Sequence, residues 1–344
     1  MIFLMALMAS WQLALAQDLG EVKPYEVKQI GGEGVSRVEV LTAGGSISVT
    51  GVTDPAAMRV EVYISSSQNR KLSHGEIADY LKEYYRYELS VGSGKLTAHV
   101  KRKSNVNPGK HGLSVSFRIY APVNLSTDLT TSGGSIWLTN LSGDLSFVTS
   151  GGSLHLDRLG GKVSGTTSGG SIHLQDSKVD KLGLATSGGS IEAKDSEGEL
   201  ELYTSGGSVK LDRLRGRVKA ATSGGSVNGS EISGALHAST SGGSVRLDKL
   251  SCSLEAATSG GNIDIAIREL TGLVRIGNSG GRVSLSLPKG AGADLDIQGE
   301  TIHTEGLAGF SGSTEKGTMT GKINGGGQPV SIHAKSCRVS LSFE

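Results

Sequence analysis

Aromatic residues make up 4% of the 344 positions, charged residues only 19%, and the chain holds six prolines and two cysteines. So few aromatics and charges exclude an ordinary α/β enzyme core. So few prolines, with no strict Gly-X-Y period, exclude collagen, while a hydrophobic fraction of 36% is too high for a wholly disordered chain. Charge of one sign is missing too: 34 Lys and Arg against 33 Asp and Glu leave +1, which gives no electrostatic reason to bind nucleic acid or an anionic surface. What is abundant is glycine, 52 residues, about double the usual share.

No long apolar run follows the first residues. Met1 to Ala16 carry no charge and end in Ala14-Leu15-Ala16, the small-x-small pattern of a signal-peptidase site, so 1–16 reads as a secretion signal removed on export. No later stretch has the ~18 apolar residues of a membrane span, and no cysteine follows the apolar run to accept a lipid. The expected location is the periplasm or the cell surface.

The glycines recur in register. Thr-Ser-Gly-Gly-Ser followed by an aliphatic residue begins at Thr131, Thr149, Thr167, Thr186, Thr204, Thr222 and Thr240, with TSGGNI from Thr258 and NSGGRV from Asn278. The steps between copies are 18 to 20 residues, and a partial copy, Ala43 to Ile47, lies 89 residues before the first, close to five periods. Inside each copy the apolar residues alternate, as in Ile136, Leu138, Leu141, Leu145 and Phe147, the period of strands. One copy cannot bury its own inner face. Stacked copies can, in parallel at ~4.8 Å per layer, so the fold expected is an all-β, single-chain parallel β-solenoid (β-helix) with ~18-residue rungs, on the order of 40 Å long over the nine copies.

The paired glycines are expected at a corner needing both positive φ and close backbone stacking. The preceding threonines share the inward parity and form a hydroxyl ladder. That parity weakens a third reading, ice binding through threonine. Cys252 and Cys337 fall several rungs apart, beyond disulfide reach, and are expected as two buried thiols.

The outward positions align into columns. One reads Trp137, His155, His173, Glu192, Lys210, Asn228, Arg246, Asp264; a second reads Asp157, Gln175, Lys194, Asp212, Ser230, Asp248. Glu192 with Lys210, Lys194 with Asp212, and Arg246 with Asp264 are expected as pairs one rung apart. Trp137, His155 and His173 are the candidate exposed binding surface. Two histidines beside Asp157 also have the residue types for a transition metal, but a solvated strand is the simpler account of them, and no metal or cofactor is assigned.

The flanks differ. Residues 17–130 hold strand-like runs around a short helix near 74–85, whose Ser73 and Glu76 have capping-box spacing, and form an N-terminal cap. The regular repeats occupy 131–287, and 288–344 are expected as irregular rungs closing the C-terminal end, with Asn324 to Gly327 in a loop.

The sequence Ile119-Tyr120-Ala121-Pro122-Val123, the run of TSGGS units with Leu-x-Gly turns, and Val330-Ser331-Ile332 at the end resemble the bacterial putative-adhesin family of β-strand-repeat domains of unknown function, over about 40–344. The resemblance implies a β-helical, exported or envelope-associated protein and supplies no catalytic residues. The chain departs from the pattern at Asn278, Arg282 and Cys252, the last replacing the glycine of a turn.

No GxSxG, HExxH, GxxxxGK[ST], CxxC or calcium-binding GxGxD array occurs. The reading that follows is a non-enzymatic adhesin-like or envelope scaffold module whose partner is a glycan or a protein. The alternative is a polysaccharide-acting enzyme on a β-helix, for which Asp157, Asp212 and Asp248 stand two or three rungs apart, wider than paired glycosidase carboxylates.

Overall fold

The computed structural model describes residues 23–31, 34–68, 70–104 and 106–344, so the secretion-signal expectation for 1–16 lies outside the described residues. The described residues are all-β with a single α-helix. The strands are β1 (Glu26–Gln29), β2 (Arg37–Thr42), β3 (Ile47–Val52), β4 (Arg59–Ser66), β5 (Tyr85–Gly92), β6 (Lys95–Arg102), β7 (Leu113–Pro122), β8 (Ser126–Thr131), β9 (Ile136–Thr149), β10 (Leu154–Thr167), β11 (Ile172–Gln175) and β12 (Lys178–Thr186). They continue with β13 (Ile191–Thr204), β14 (Val209–Thr222), β15 (Val227–Ser230), β16 (Ser233–Thr240), β17 (Val245–Thr258), β18 (Ile263–Ile267), β19 (Val274–Asn278), β20 (Arg282–Leu287), β21 (Ala293–Glu305), β22 (Phe310–Glu315), β23 (Thr318–Ile323) and β24 (Gln328–Phe343). The helix α1 (His74–Tyr84) starts at a capping box in which Ser73 and Glu76 bond each other's main chain.

From β8 to β20 every pairing is parallel, and each residue faces its counterpart one repeat later: Ile136 opposite Leu154, Ile172, Ile191, Val209, Val227, Val245, Ile263 and Val283 in turn. That column is at most 1% exposed. Period-2 alternation turns these residues into one continuous core, which no single repeat could close.

The threonine and the last serine of the motif spend their hydroxyls on neighbouring layers. From Thr131 to Thr258, each threonine Oγ1 donates to the carbonyl of the second motif glycine one layer back, Gly45 to Gly243, at 2.7–2.8 Å. The same oxygen accepts from the N–H of the second glycine of its own copy at 3.2–3.4 Å. The last serine of each copy accepts the next copy's N–H at this position, from Ser135 to Ser244. Asn278 stands in for threonine with its amide, donating to Gly261 O at 3.2 Å and accepting from Gly280 N–H at 3.1 Å.

The glycine expectation is corrected in part. From Gly133 to Gly261 neither motif glycine has positive φ. The second is required by stacking alone, because a Cβ at Gly134 through Gly261 lies only 1.9–2.1 Å from the carbonyl oxygen of the glycine beneath. The first meets nothing nearer than 3.4–3.6 Å. Left-handed backbone occurs instead at a second corner, on a column of non-glycine residues, Asn140, Arg158, Asp176, Asp195, Arg213, Glu231 and Lys249, with φ of 49–57°. The Leu-x-Gly glycines, such as Gly216 (φ 108°), follow it; at Cys252 a side chain takes that place and is fully buried.

The spacing of five periods before Gly133 is also corrected. β3 pairs directly with β9, Ile47 opposite Ile136, and β2 pairs with β8. The chain then leaves and returns one layer farther out, β6 on β2 and β7 on β3, both parallel. The C-terminal end repeats the device: β24 lies on β19 and β20, and the earlier strand β21 lies outside β24. Antiparallel strands finish both ends, β4, β5 and β1 at one and β23 and β22 at the other. They cover backbone edges that a purely parallel stack leaves open to end-to-end pairing.

The two cysteines are free and buried, as expected. Burial pushes the Cys252 thiol up to about 11. Asn324 and Gly325 form a turn, and no helix among the described residues is long and apolar enough to cross a membrane.

Candidate functional site

With the motif's hydrogen bonds satisfied inside the stack, chemistry is left to the outward columns. Both columns are in the register expected, and they extend farther than the repeats: Glu61, Arg118 and Ser48 precede Trp137 in one, and Arg59, Tyr120, Thr50 and Thr139 precede Asp157 in the other. They share one face.

Trp137, His155 and His173 are brought together as a stack. The indole and the first imidazole are 5.1 Å apart at 6°, and the two imidazoles 5.2 Å apart at 12°. Layer spacing causes this, since flat side chains on adjacent parallel strands lie one above another. His155 is therefore covered on both faces, and Trp137 and His173 on one face each. His173 Nδ1 is 3.6 Å from Glu192 Oε2, and Glu192 Oε1 accepts from Lys210 Nζ at 3.1 Å. Burial opposes ionisation of Glu192, but the Lys210 hydrogen bond and the charges of Lys210, Lys194 and His173 outweigh it and hold the carboxyl below its usual range.

Asp157 accepts from Gln175 Nε2 at 3.2 Å and pairs with Arg158 at 2.8 Å. Among the described residues no group of three or more His, Cys, Asp or Glu side chains is placed to hold a metal ion. The expected Arg246–Asp264 pair forms at 3.8 Å. Lys194 lies opposite Asp212, while its Nζ is 4.0 Å from Glu192 and the Asp212 carboxylate contacts Arg213.

Three features were not anticipated. Toward the N-terminal end the face carries Arg59 over the Tyr120 ring at 4.1 Å and Arg118 over Tyr63 at 5.2 Å, joined through Glu61. Burial, then the Glu61 hydrogen bond, pushes the Tyr63 hydroxyl up to about 12. The left-handed corner forms its own charge ladder, with Arg213 forked onto Asp195 at 2.6 and 2.8 Å and Lys249 on Glu231 at 3.3 Å. Finally, a groove of about 720 Å³ opens across the same face where the rung Val227–Ser230 carries only Asn228, Gly229 and Ser230 beyond its first valine. The signal for it was present in the columns, which shorten to Asn228 and Ser230 in one repeat.

No protein-family model matches the chain, and no curated protein is similar to it. It is similar to three bacterial crystal structures: a putative cell adhesion protein from Clostridium sporogenes (11% identity, 93% of this chain and 98% of that one, TM-score 0.21), a putative adhesin from Bacteroides fragilis (10%, 93% and 95%, 0.27) and a putative adhesin from Parabacteroides distasonis (12%, 93% and 96%, 0.30). Their names are those of the adhesin class that the repeats resemble. At these TM-scores the likeness carries no argument about what this chain does.

Proposed function

We propose that the chain is an exported, non-enzymatic parallel β-solenoid that acts as an adhesin-like or cell-envelope binding module, holding a glycan or protein partner on its outward columns. In this reading 1–16 are removed, 17–130 and 288–344 close the ends, and 131–287 form the regular stack. The carrying observation is the division of labour within each repeat. Thr, the paired Gly and the last Ser bond only their neighbours, whereas the outward positions differ from rung to rung. A scaffold held constant under variable surface columns is built for recognition. An enzyme on the same fold needs convergent acid and base groups, and Asp157, Asp212 and Asp248 stand two or three layers apart along one column.

The test follows a C-terminal epitope tag while intact and lysed cells are treated with protease, with a periplasmic marker as control. Cutting on intact cells, together with retention on a glycan or host-protein panel, supports the adhesin-like reading; protection until lysis narrows it to an envelope module. New reducing or unsaturated ends on polysaccharides, or retention on neither glycan, protein nor envelope fraction, overturns it.

A further inference from the structure

The groove at Asn228 is built by one rung. At the two outward positions the neighbouring layers carry Lys210 with Asp212 and Arg246 with Asp248, whereas this layer carries Asn228 and Ser230. Between these Gly229 faces inward, opposite Leu211 and Leu247, and Ile232 and Leu247 side chains come within 2.9 Å of where its Cβ would be; the floor is low because the outward Asn228 and Ser230 are short. The walls lean away from it. Lys210 turns to Glu192 at 3.1 Å, and Arg246 to Asp264 at 3.8 Å.

Two things follow for a ligand. Both cations are already paired, and so are Asp212 with Arg213 and Asp264 with Arg246 and Arg282, so among the described residues the lining charges left without an ion-pair partner are the carboxylates of Asp248 and Glu344. In the groove, the side chains of Asn228, Ser230 and Asp248 have no hydrogen-bond or ion-pair partner among the described residues. They offer acceptors and one amide donor to hydroxyls and amines. A peptide strand finds nothing for its main chain, because β15 is hydrogen-bonded on both sides by β14 and β17.

We infer that this groove binds an amine-bearing, hydroxyl-rich glycan chain lying along the Asn228 rung, with Asp248 facing its amines and Asn228 and Ser230 its hydroxyls. The inference rests on the binding-module reading and names the chemistry of its ligand.

The test is titration calorimetry of the full exported chain with a glucosamine hexamer, its N-acetylated form, a galacturonate hexamer and hexalysine, at mildly acid pH. The glucosamine hexamer is expected to bind, the acetylated form more weakly and the galacturonate not at all. Asp248→Asn, an exposed change that keeps shape, weakens binding about tenfold, the size of a lost charge-assisted hydrogen bond. Asn228→Trp fills the groove and abolishes binding, while Lys219→Ala, exposed on β14 away from both columns and from the groove lining, leaves it unchanged. Absence of glucosamine binding, equal binding of hexalysine or galacturonate, or indifference to Asn228→Trp overturns the inference. Binding lost in Trp137→Ala but kept in Asn228→Trp overturns the groove and leaves the binding-module reading standing.

Discussion

Ile47 lies directly opposite Ile136 across a parallel ladder, although 89 residues separate them, while Ile136 and Leu154, 18 residues apart, face each other on the next layer. The intervening chain is not a stack of further copies. It supplies the outer layer of β6 and β7 and the antiparallel strands that finish the end.

The two motif glycines are predicted to differ. Gly243→Ala places a Cβ 1.9 Å from the Gly225 carbonyl oxygen, and the layers must part to admit it. The expected cost is about 3 kcal/mol or more. At Gly242 the nearest atom is 3.5 Å away, so Gly242→Ala is expected within about 1 kcal/mol of the parent, helped by a stiffer unfolded chain. Denaturant unfolding of the two variants side by side measures this.

Thr222 bonds Gly207 O at 2.7 Å and Gly225 N–H at 3.2 Å through one hydroxyl. Thr222→Val keeps the shape and strands both buried partners, for an expected loss of about 1–3 kcal/mol; Thr222→Ser keeps the bonds and loses less. A larger loss in Thr222→Ser than in Thr222→Val would show that the methyl, not the hydroxyl, matters at this position.

At the left-handed corner Arg158 has φ of 51°. For a side chain of its kind that conformation costs about 1–2 kcal/mol, and Asn tolerates it better. Arg158→Asn gives up an exposed ion pair to Asp157, worth less than about 1 kcal/mol, and is predicted to raise Tm by a few degrees. Calorimetry at neutral pH decides it; a lower Tm contradicts the strain account.

Cys252 is fully buried, and burial pushes its thiol up to about 11 from the ordinary 9.0. A raised thiol favours the folded state's neutral form, so its stability is intact below the unfolded value and lost as pH rises through the folded one. About 3 kcal/mol should disappear across that window, and Cys252→Ala should flatten the loss. Neither cysteine should react with a thiol reagent until the protein unfolds.

With the proposed removal of 1–16, which carry Trp11, Trp137 is the single tryptophan left. His155 covers one face of its ring at 5.1 Å, so His155→Ala is predicted to shift its emission to longer wavelength, and Lys210→Ala, farther along the column, to leave it alone.

Much of the fold was legible because it is periodic: Ile136, Leu154 and their successors fix the inward parity, and the columns from Trp137 to Asp264 followed from it in correct register. What periodicity does not carry was missed. The order of layers at the ends depends on where Ile47 and Val330 land, and nothing local to either states it. Left-handed backbone went unseen because Arg158, Arg213 and Lys249 are not residues that advertise it. Stacking of Trp137 on His155 was implicit in their alignment; that His155 is covered on both faces needed the geometry.

The account turns on one register, Thr50 beside Thr139, with Asp157 one layer beyond. Mild oxidation of Thr50→Cys with Thr139→Cys, followed by non-reducing electrophoresis and mass mapping, tests it. An intramolecular disulfide in that monomer, and none for Thr50→Cys with Asp157→Cys roughly 10 Å apart, is predicted. A bond in the second pair and not the first, or only cross-linked dimers, would contradict the layer order and every column built on it.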